Sequence, residues 1–130
     1  MVGIVLISHS SRLAEGAAEL VGQIAGNARV VPAGGTDDGR LGTSTERIAS
    51  AIAAADTGDG VLLLPDMGSS VLSALSLLAD LDPAHDGKQI RLADAPFIEG
   101  AVAAAVAASG GLDLATVAGA AEEARDVRKL

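Results

Sequence analysis

The chain has 130 residues, 49% of them hydrophobic and 20% charged, a length that fits one compact domain able to bury about two thirds of its extended surface. It has no Cys, which excludes disulfides, thiolate nucleophiles and cysteine-built zinc or iron–sulfur centres. With no Trp or Tyr, a single Phe and a net charge of −8, it lacks the aromatic platforms and segregated basic surface that hold nucleic acids, stacked sugars and flavins.

The first element is Val2–Ile7, a short run rich in β-branched residues, the pattern of a strand buried on both faces. It is too short for a signal-peptide core or a membrane span, and no basic stretch precedes it, so a cytoplasmic chain is expected. After Ser8-His9-Ser10-Ser11 an amphipathic helix follows, with Leu13, Ala17, Leu20, Val21 and Ile24 inward, Glu15 and Glu19 outward, and Ser10 or Ser11 as its N-cap. Arg29–Val31 reads as a second strand. From Pro32 a polar, glycine-rich loop runs to Gly42. Thr43 and Glu46 match a capping box for a second helix that turns Ile48, Ala49, Ile52 and Ala55 inward and stops at Asp56–Gly60.

Val61–Leu64 is the third strand, and Asp66-Met67-Gly68-Ser69-Ser70 leads into an apolar helix, Val71–Leu81, that is expected to be well buried and is stopped by Asp82-Pro83. Gln89–Ala93 is the fourth strand. Asp94-Ala95-Pro96 opens a helix from Phe97 to about Ala108, and residues 111–130 close the chain with one more helix whose inner stripe is Leu114, Val117, Ala118 and Ala121. Residues 1–130 are therefore read as a single α/β domain: an open, mainly parallel four-stranded sheet with helices on both faces, in a flavodoxin-like arrangement. In such sheets ligands bind outside the carboxyl ends of the strands. That edge holds His9, the Gly35–Thr43 loop, Asp66 with Ser69 and Ser70, and Asp94 with Pro96.

His9 has two readings, a loop histidine that bonds the next helix, or a nucleophile. Its place between a buried strand and a helix N-terminus suits a phosphoryl group, because free amides and the positive end of the helix dipole favour an anion. A neutral imidazole with one bare nitrogen is what attack on phosphorus requires. Asp66, at the end of the strand expected beside the first, is either an N-cap or the carboxylate that takes the proton of one ring nitrogen and fixes the tautomer. The Gly34-Gly35-Thr36 and Gly42-Thr43 steps offer amides and hydroxyls to an anion. The P-loop, dinucleotide and nucleophile-elbow patterns are absent. Arg12, Arg40 and Arg47 are cations that either balance phosphate charge, meet a partner or simply face water. His85 falls in the turn before the fourth strand, at the opposite edge and roughly 17–20 Å from His9, too far for joint chelation. No metal site is expected.

Four segments carry a resemblance: Val5–Ser10 with Leu13-Ala14-Glu15-Gly16, Pro32–Ser44, Asp66–Ser70, and Asp94–Ala101. Over residues 1–110 the chain resembles the mannose-type IIA domains of the bacterial phosphoenolpyruvate-dependent phosphotransferase system, and within that family most closely the phosphoryl-carrier subunits of dihydroxyacetone kinases. The resemblance implies a phosphotransferase subunit in which His9 accepts a phosphoryl group from the histidine-containing phosphocarrier protein and passes it to ADP on the kinase L subunit. The ATP so formed serves dihydroxyacetone on the K subunit. It further implies that Asp66 orients His9, that Ser10, Gly35, Thr36, Ser69 and Ser70 line the phosphate site, and that the chain needs no cofactor of its own. Mannose-type relatives often have a second Gly and a Pro after their equivalent Asp. Ser69-Ser70 stand here instead, which favours the dihydroxyacetone branch over a sugar transporter. The donor is expected in trans. A homodimer is also implied, and the Ala-rich stretch Ala101–Ala108 would allow close helix packing. Two other readings stay open, a small tetrapyrrole metal chelatase, which would need a second ligand at the carboxyl edge, and a phosphate or nucleotide binder without a nucleophile.

Overall fold

The computed structural model describes residues 1–81 and 89–130. In chain order the elements are β1 (Gly3–Ser8), α1 (Ser11–Ile24), β2 (Arg29–Gly34), α2 (Thr45–Ala55), β3 (Val61–Pro65), α3 (Gly68–Asp80), β4 (Ile90–Leu92), α4 (Phe97–Ser109) and α5 (Leu114–Glu123), the last running into a short 3-10 helix, Ala124–Asp126. The strands form one parallel sheet in the order β2-β1-β3-β4. This is the α/β architecture that the alternation of strands and helices predicts. His85 lies outside the described residues.

The continuous apolar runs of β1 and β3 follow from their central position. Every residue of both strands is buried, because side chains pointing either way meet a helix layer. Ile4, Leu6, Leu62 and Leu64 face α1, α4 and α5, whereas Val5, Ile7, Val61 and Leu63 face α2 and α3. Each such side chain stabilises the fold by about 1.5–3 kcal/mol. The sheet therefore carries two cores, and β1 is central to both.

Several expectations are corrected by this packing. On α1 the buried residues are Ala14, Ala17 and Val21, and Leu13, Leu20 and Ile24 are exposed; small side chains bring the helix close to the sheet and turn the leucines outward. The second strand does not stop at Val31 but continues through Pro32 to Gly34. The edge position of β2 tolerates a residue that cannot donate to the ladder. The N-cap of α2 is Ser44, whose hydroxyl accepts from the Arg47 amide at 3.3 Å, rather than Thr43, and Ala51 rather than Ala49 is buried. Apolar α3 is largely uncovered: only Ser70 and Ala74 are buried, and Leu72 is 67% exposed. It packs on β3 and beside α2. Ala101, Ala104, Ala105 and Ala108 of α4 pack inward onto the sheet and α5, whereas Val106 on its outer face is exposed.

The carboxyl end of β2 is pressed against the start of α1. A Cβ at Gly34 would stand 2.5 Å from the Ser10 carbonyl oxygen and 2.8 Å from the Ser11 Cα, both backbone atoms that cannot rotate away. Gly34→Ala is expected to lose about 1–3 kcal/mol by overpacking, read as a lower urea midpoint with an unchanged slope. An unchanged midpoint would contradict this packing.

Candidate functional site

From β1 the chain crosses to β2 along one face, whereas from β3 it crosses to β4 along the other, so the carboxyl ends of β1 and β3 flank the crevice where connections diverge. His9 follows β1 and Asp66 follows β3. The Asp66 amide continues the ladder by donating to the Ile7 carbonyl at 2.9 Å. That bond sets the carboxylate directly beside His9.

The two side chains meet as the sequence reading anticipates. His9 Nδ1 lies 2.9 Å from Asp66 Oδ1, and the His9 amide donates to Oδ2 at 3.1 Å. Since an ionised carboxylate only accepts, the proton of the neutral ring sits on Nδ1 and Nε2 is bare. Nε2 faces the Ser69 hydroxyl, which donates to it in a short contact. The side chain of His9 is 20% exposed and that of Asp66 8%, so the acid is buried behind a ring that reaches solvent.

Asp66 collects further donors. The Ser8 hydroxyl reaches Oδ2 at 2.9 Å, while the Ser70 hydroxyl and the Met67 amide reach Oδ1 at 2.8 and 2.7 Å. Burial pushes the carboxyl up, but the hydrogen bonds from the Ser70 hydroxyl, the His9 amide, the Ser8 hydroxyl and the His9 ring outweigh it and hold Asp66 below the ordinary carboxylate range.

The residues expected around a phosphate divide into two groups. Ser69 stands at the open nitrogen. Its amide and that of Gly68, in the first turn of α3, make no hydrogen bond to the described residues. Ser70 does not line an open site: it is fully buried and its hydroxyl is on Asp66. Ser10 is the N-cap of α1, accepting from the Leu13 amide at 3.2 Å. The amides of Gly35 and Thr36 are already bonded, to the carbonyls of Ser8 at 3.1 Å and Arg40 at 3.0 Å, and the Thr36 hydroxyl is on Asp38. Gly35 makes its turn with φ at 72°, a conformation open chiefly to glycine. The loop thus acts as a brace. Its Gly42 amide donates to the His9 carbonyl at 2.8 Å.

Of the cations, Arg40 pairs with Asp38 at 3.2 Å and Arg47 with Asp37 at 3.0 Å, and Arg12 has no ion pair among the described residues. Asp94 lies across a cleft of about 370 Å³ bounded by Asp66–Gly68 and Leu92–Ala95, with its carboxylate near Arg125 at 3.5 Å. Among the described residues no group of three or more carboxylate or imidazole side chains is placed to hold a metal ion. Ser8 was not singled out as a site residue from sequence. The available signal was a polar residue closing an otherwise apolar, fully buried strand, directly before His9.

The model of the phosphotransferase-system fructose IIA component family, EIIA-man, matches residues 3–118. The chain is 41% identical over 118 residues to the phosphoryl donor subunit DhaM of the PEP-dependent dihydroxyacetone kinase of Escherichia coli (strain K12), covering 88% of this chain and 25% of that protein. It is 40% identical over 107 residues to the phosphoryl donor subunit DhaM of PEP-dependent dihydroxyacetone kinase 2 of Listeria innocua, covering 82% of this chain and 85% of that one. The chain therefore spans about a quarter of the length of its Escherichia coli relative and most of its Listeria relative. The crystal structure of the unknown-function protein EF1359 superposes with a TM-score of 0.83 at 35% identity, covering 93% of this chain and 92% of that one. Among the described residues no helix is long and apolar enough to cross a membrane.

Replacing Asp66 by Asn keeps the shape and removes the charge that the donors address. Because the native carboxyl is held low, its contribution is complete above the unfolded value of about 3.9 and disappears as pH falls through the native value. Asp66→Asn is expected to cost about 1–3 kcal/mol at pH 7, with the gap to the parent chain closing below about pH 4. Urea unfolding at pH 7 and pH 3 checks this, and a gap of equal size at both would contradict it.

Proposed function

This chain belongs to the family of phosphotransferase-system fructose IIA components, and from that premise we propose that it is a phosphohistidine carrier, the phosphoryl donor subunit of a phosphoenolpyruvate-dependent dihydroxyacetone kinase. The observation that carries the reading is the ring of His9, anchored at Nδ1 by Asp66 at 2.9 Å, with Nε2 unprotonated beside the Ser69 hydroxyl and the side chain 20% exposed. The names of its relatives supply the system.

In the proposed cycle Nε2 attacks the phosphorus carried by the histidine-containing phosphocarrier protein. A new N–P bond forms as the donor's N–P bond breaks, and that electron pair returns to the donor ring. Nδ1 keeps its proton, and the Asp66 carboxylate balances the positive charge that the phosphorylated ring gains. In the second transfer a β-phosphate oxygen of ADP, bound on the kinase L subunit, attacks the same phosphorus, and the N–P pair returns to Nε2. The ATP formed then phosphorylates dihydroxyacetone on the K subunit. The carrier needs no nucleotide or metal of its own, and it works in the cytoplasm with these partners.

The chemistry asks for presentation more than capture. A phosphoryl group held too tightly would not be passed on, so a few donors suffice. Ser69 supplies one: its hydroxyl leaves Nε2 by rotation about a single bond and turns to a phosphoryl oxygen. The first-turn amides of Gly68 and Ser69, at the positive end of α3, supply others. Gly35 and Thr36 act through the loop that fixes the His9 backbone, and Ser10 through the start of α1.

Incubation with phosphoenolpyruvate, enzyme I and the phosphocarrier protein is expected to give an acid-labile, base-stable phosphate on the chain that is absent in His9→Ala. With the K and L subunits, ADP and dihydroxyacetone added, the label should move to dihydroxyacetone phosphate. Label retained in His9→Ala, or delivered only to a mannose-type transporter component, would overturn the reading.

A further inference from the structure

Ser8 and Ser70 are the two fully buried polar side chains among the described residues. They come from different elements, the end of β1 and the first turn of α3, and converge on one group. The Ser8 hydroxyl lies 2.9 Å from Asp66 Oδ2 and the Ser70 hydroxyl 2.8 Å from Oδ1. Each hydroxyl oxygen also accepts an amide from its own side, Ser10 onto Ser8 at 3.0 Å and Met67, shared with Asp66, onto Ser70 at 3.2 Å, and its single proton is left for an acceptor. Ser70 has a second acceptor, the Met67 carbonyl at 2.7 Å, but an ionised carboxylate is the stronger one.

Packing alone does not ask for hydroxyls at these positions. Alanine would fill nearly the same volume, and a buried hydroxyl costs free energy unless it is bonded. What the pair achieves is orientation. A carboxylate turns about its last bond in a broad, roughly two-fold well, and a single partner would let it swing. The His9 and Met67 amides place one donor on each oxygen, and one hydroxyl on each, from opposite walls of the crevice, completes the clamp that holds the carboxylate plane with Oδ1 toward the ring.

We propose that Ser8 and Ser70 are positioning residues for His9, acting through Asp66 to keep the ring in the single tautomer that leaves Nε2 bare. The proposal rests on the reading of His9 as the phosphoryl carrier. Neither serine touches the transferred group, and both act on the fraction of chain ready to accept it.

The test uses Ser8→Ala, Ser70→Ala and the double variant, with the His9 ring nitrogens followed by 15N NMR at a pH where the ring is neutral. The parent chain should show the Nδ1–H tautomer alone. The variants should show a growing share of Nε2–H, and at saturating phosphocarrier protein the phosphorylation rate should fall about threefold in the single variants and about tenfold in the double. KM for the phosphocarrier should stay unchanged, and Ser70→Thr, which keeps the hydroxyl, should recover the tautomer. Should the double variant fail to fold, the single variants decide by the same two readouts. A folded variant with the parent's tautomer and rate would overturn the proposal. If the parent chain takes no phosphoryl group, the carrier reading fails, and the tautomer comparison still decides the role of the serines.

Discussion

A carboxylate buried behind an imidazole is the constraint around which the carboxyl edge of this sheet is built. Taking an ionised group out of water is costly unless its oxygens are hydrogen-bonded. Asp66 meets that requirement with donors from three places: the Ser8 hydroxyl and His9 amide at the end of β1, the Met67 amide and Ser70 hydroxyl at the start of α3, and the His9 ring itself. His9 and Asp66 are 57 residues apart in the chain. Only the pairing of β1 with β3 brings them together, so the fold's central strand contact and its chemistry are one feature.

The glycine-rich loop after β2 acts on the same point from the other side. Its composition suggests an anion cradle, yet the amides of Gly35, Thr36 and Gly42 turn inward, to Ser8, Arg40 and His9. The positive φ of Gly35 reverses the chain so that the Gly42 amide can reach the His9 carbonyl. The loop and Asp66 therefore grip the His9 backbone from two directions, and the outer nitrogen of the ring meets only the Ser69 hydroxyl among the described residues. In the carrier cycle proposed above, such an arrangement would keep the attacking ring fixed between its donor and its acceptor.

The architecture was legible because its signals are strong. Unbroken apolar strands alternate with amphipathic stretches, and the placement of His9 and Asp66 at the ends of neighbouring strands follows from that order. Helix orientation was less so. On α1 the large residues Leu13, Leu20 and Ile24 form a convincing stripe, but alanines permit a closer approach to the sheet and win the inner face. On α3 apolar composition suggested burial, and the face turned away from β3 and α2 leaves Leu72 and Leu75 uncovered. Hydroxyl direction was not legible at all: Ser69 and Ser70 are adjacent, and a helix's 100° step turns one to the ring nitrogen and the other to the acid. Nor could composition tell a loop that offers its amides to a ligand from one that has bonded them to itself.

The measurement that bears most directly on this account is the point of attachment of the phosphoryl group, read as the 31P–15N coupling in chain phosphorylated after ring-15N labelling of histidine. Coupling of phosphorus to the Nε2 of His9, with Nδ1 still carrying its proton, is the result that the hydrogen bond to Asp66 requires. Coupling to Nδ1 would mean that the carboxylate releases the ring before transfer, and the anchoring described above would be wrong.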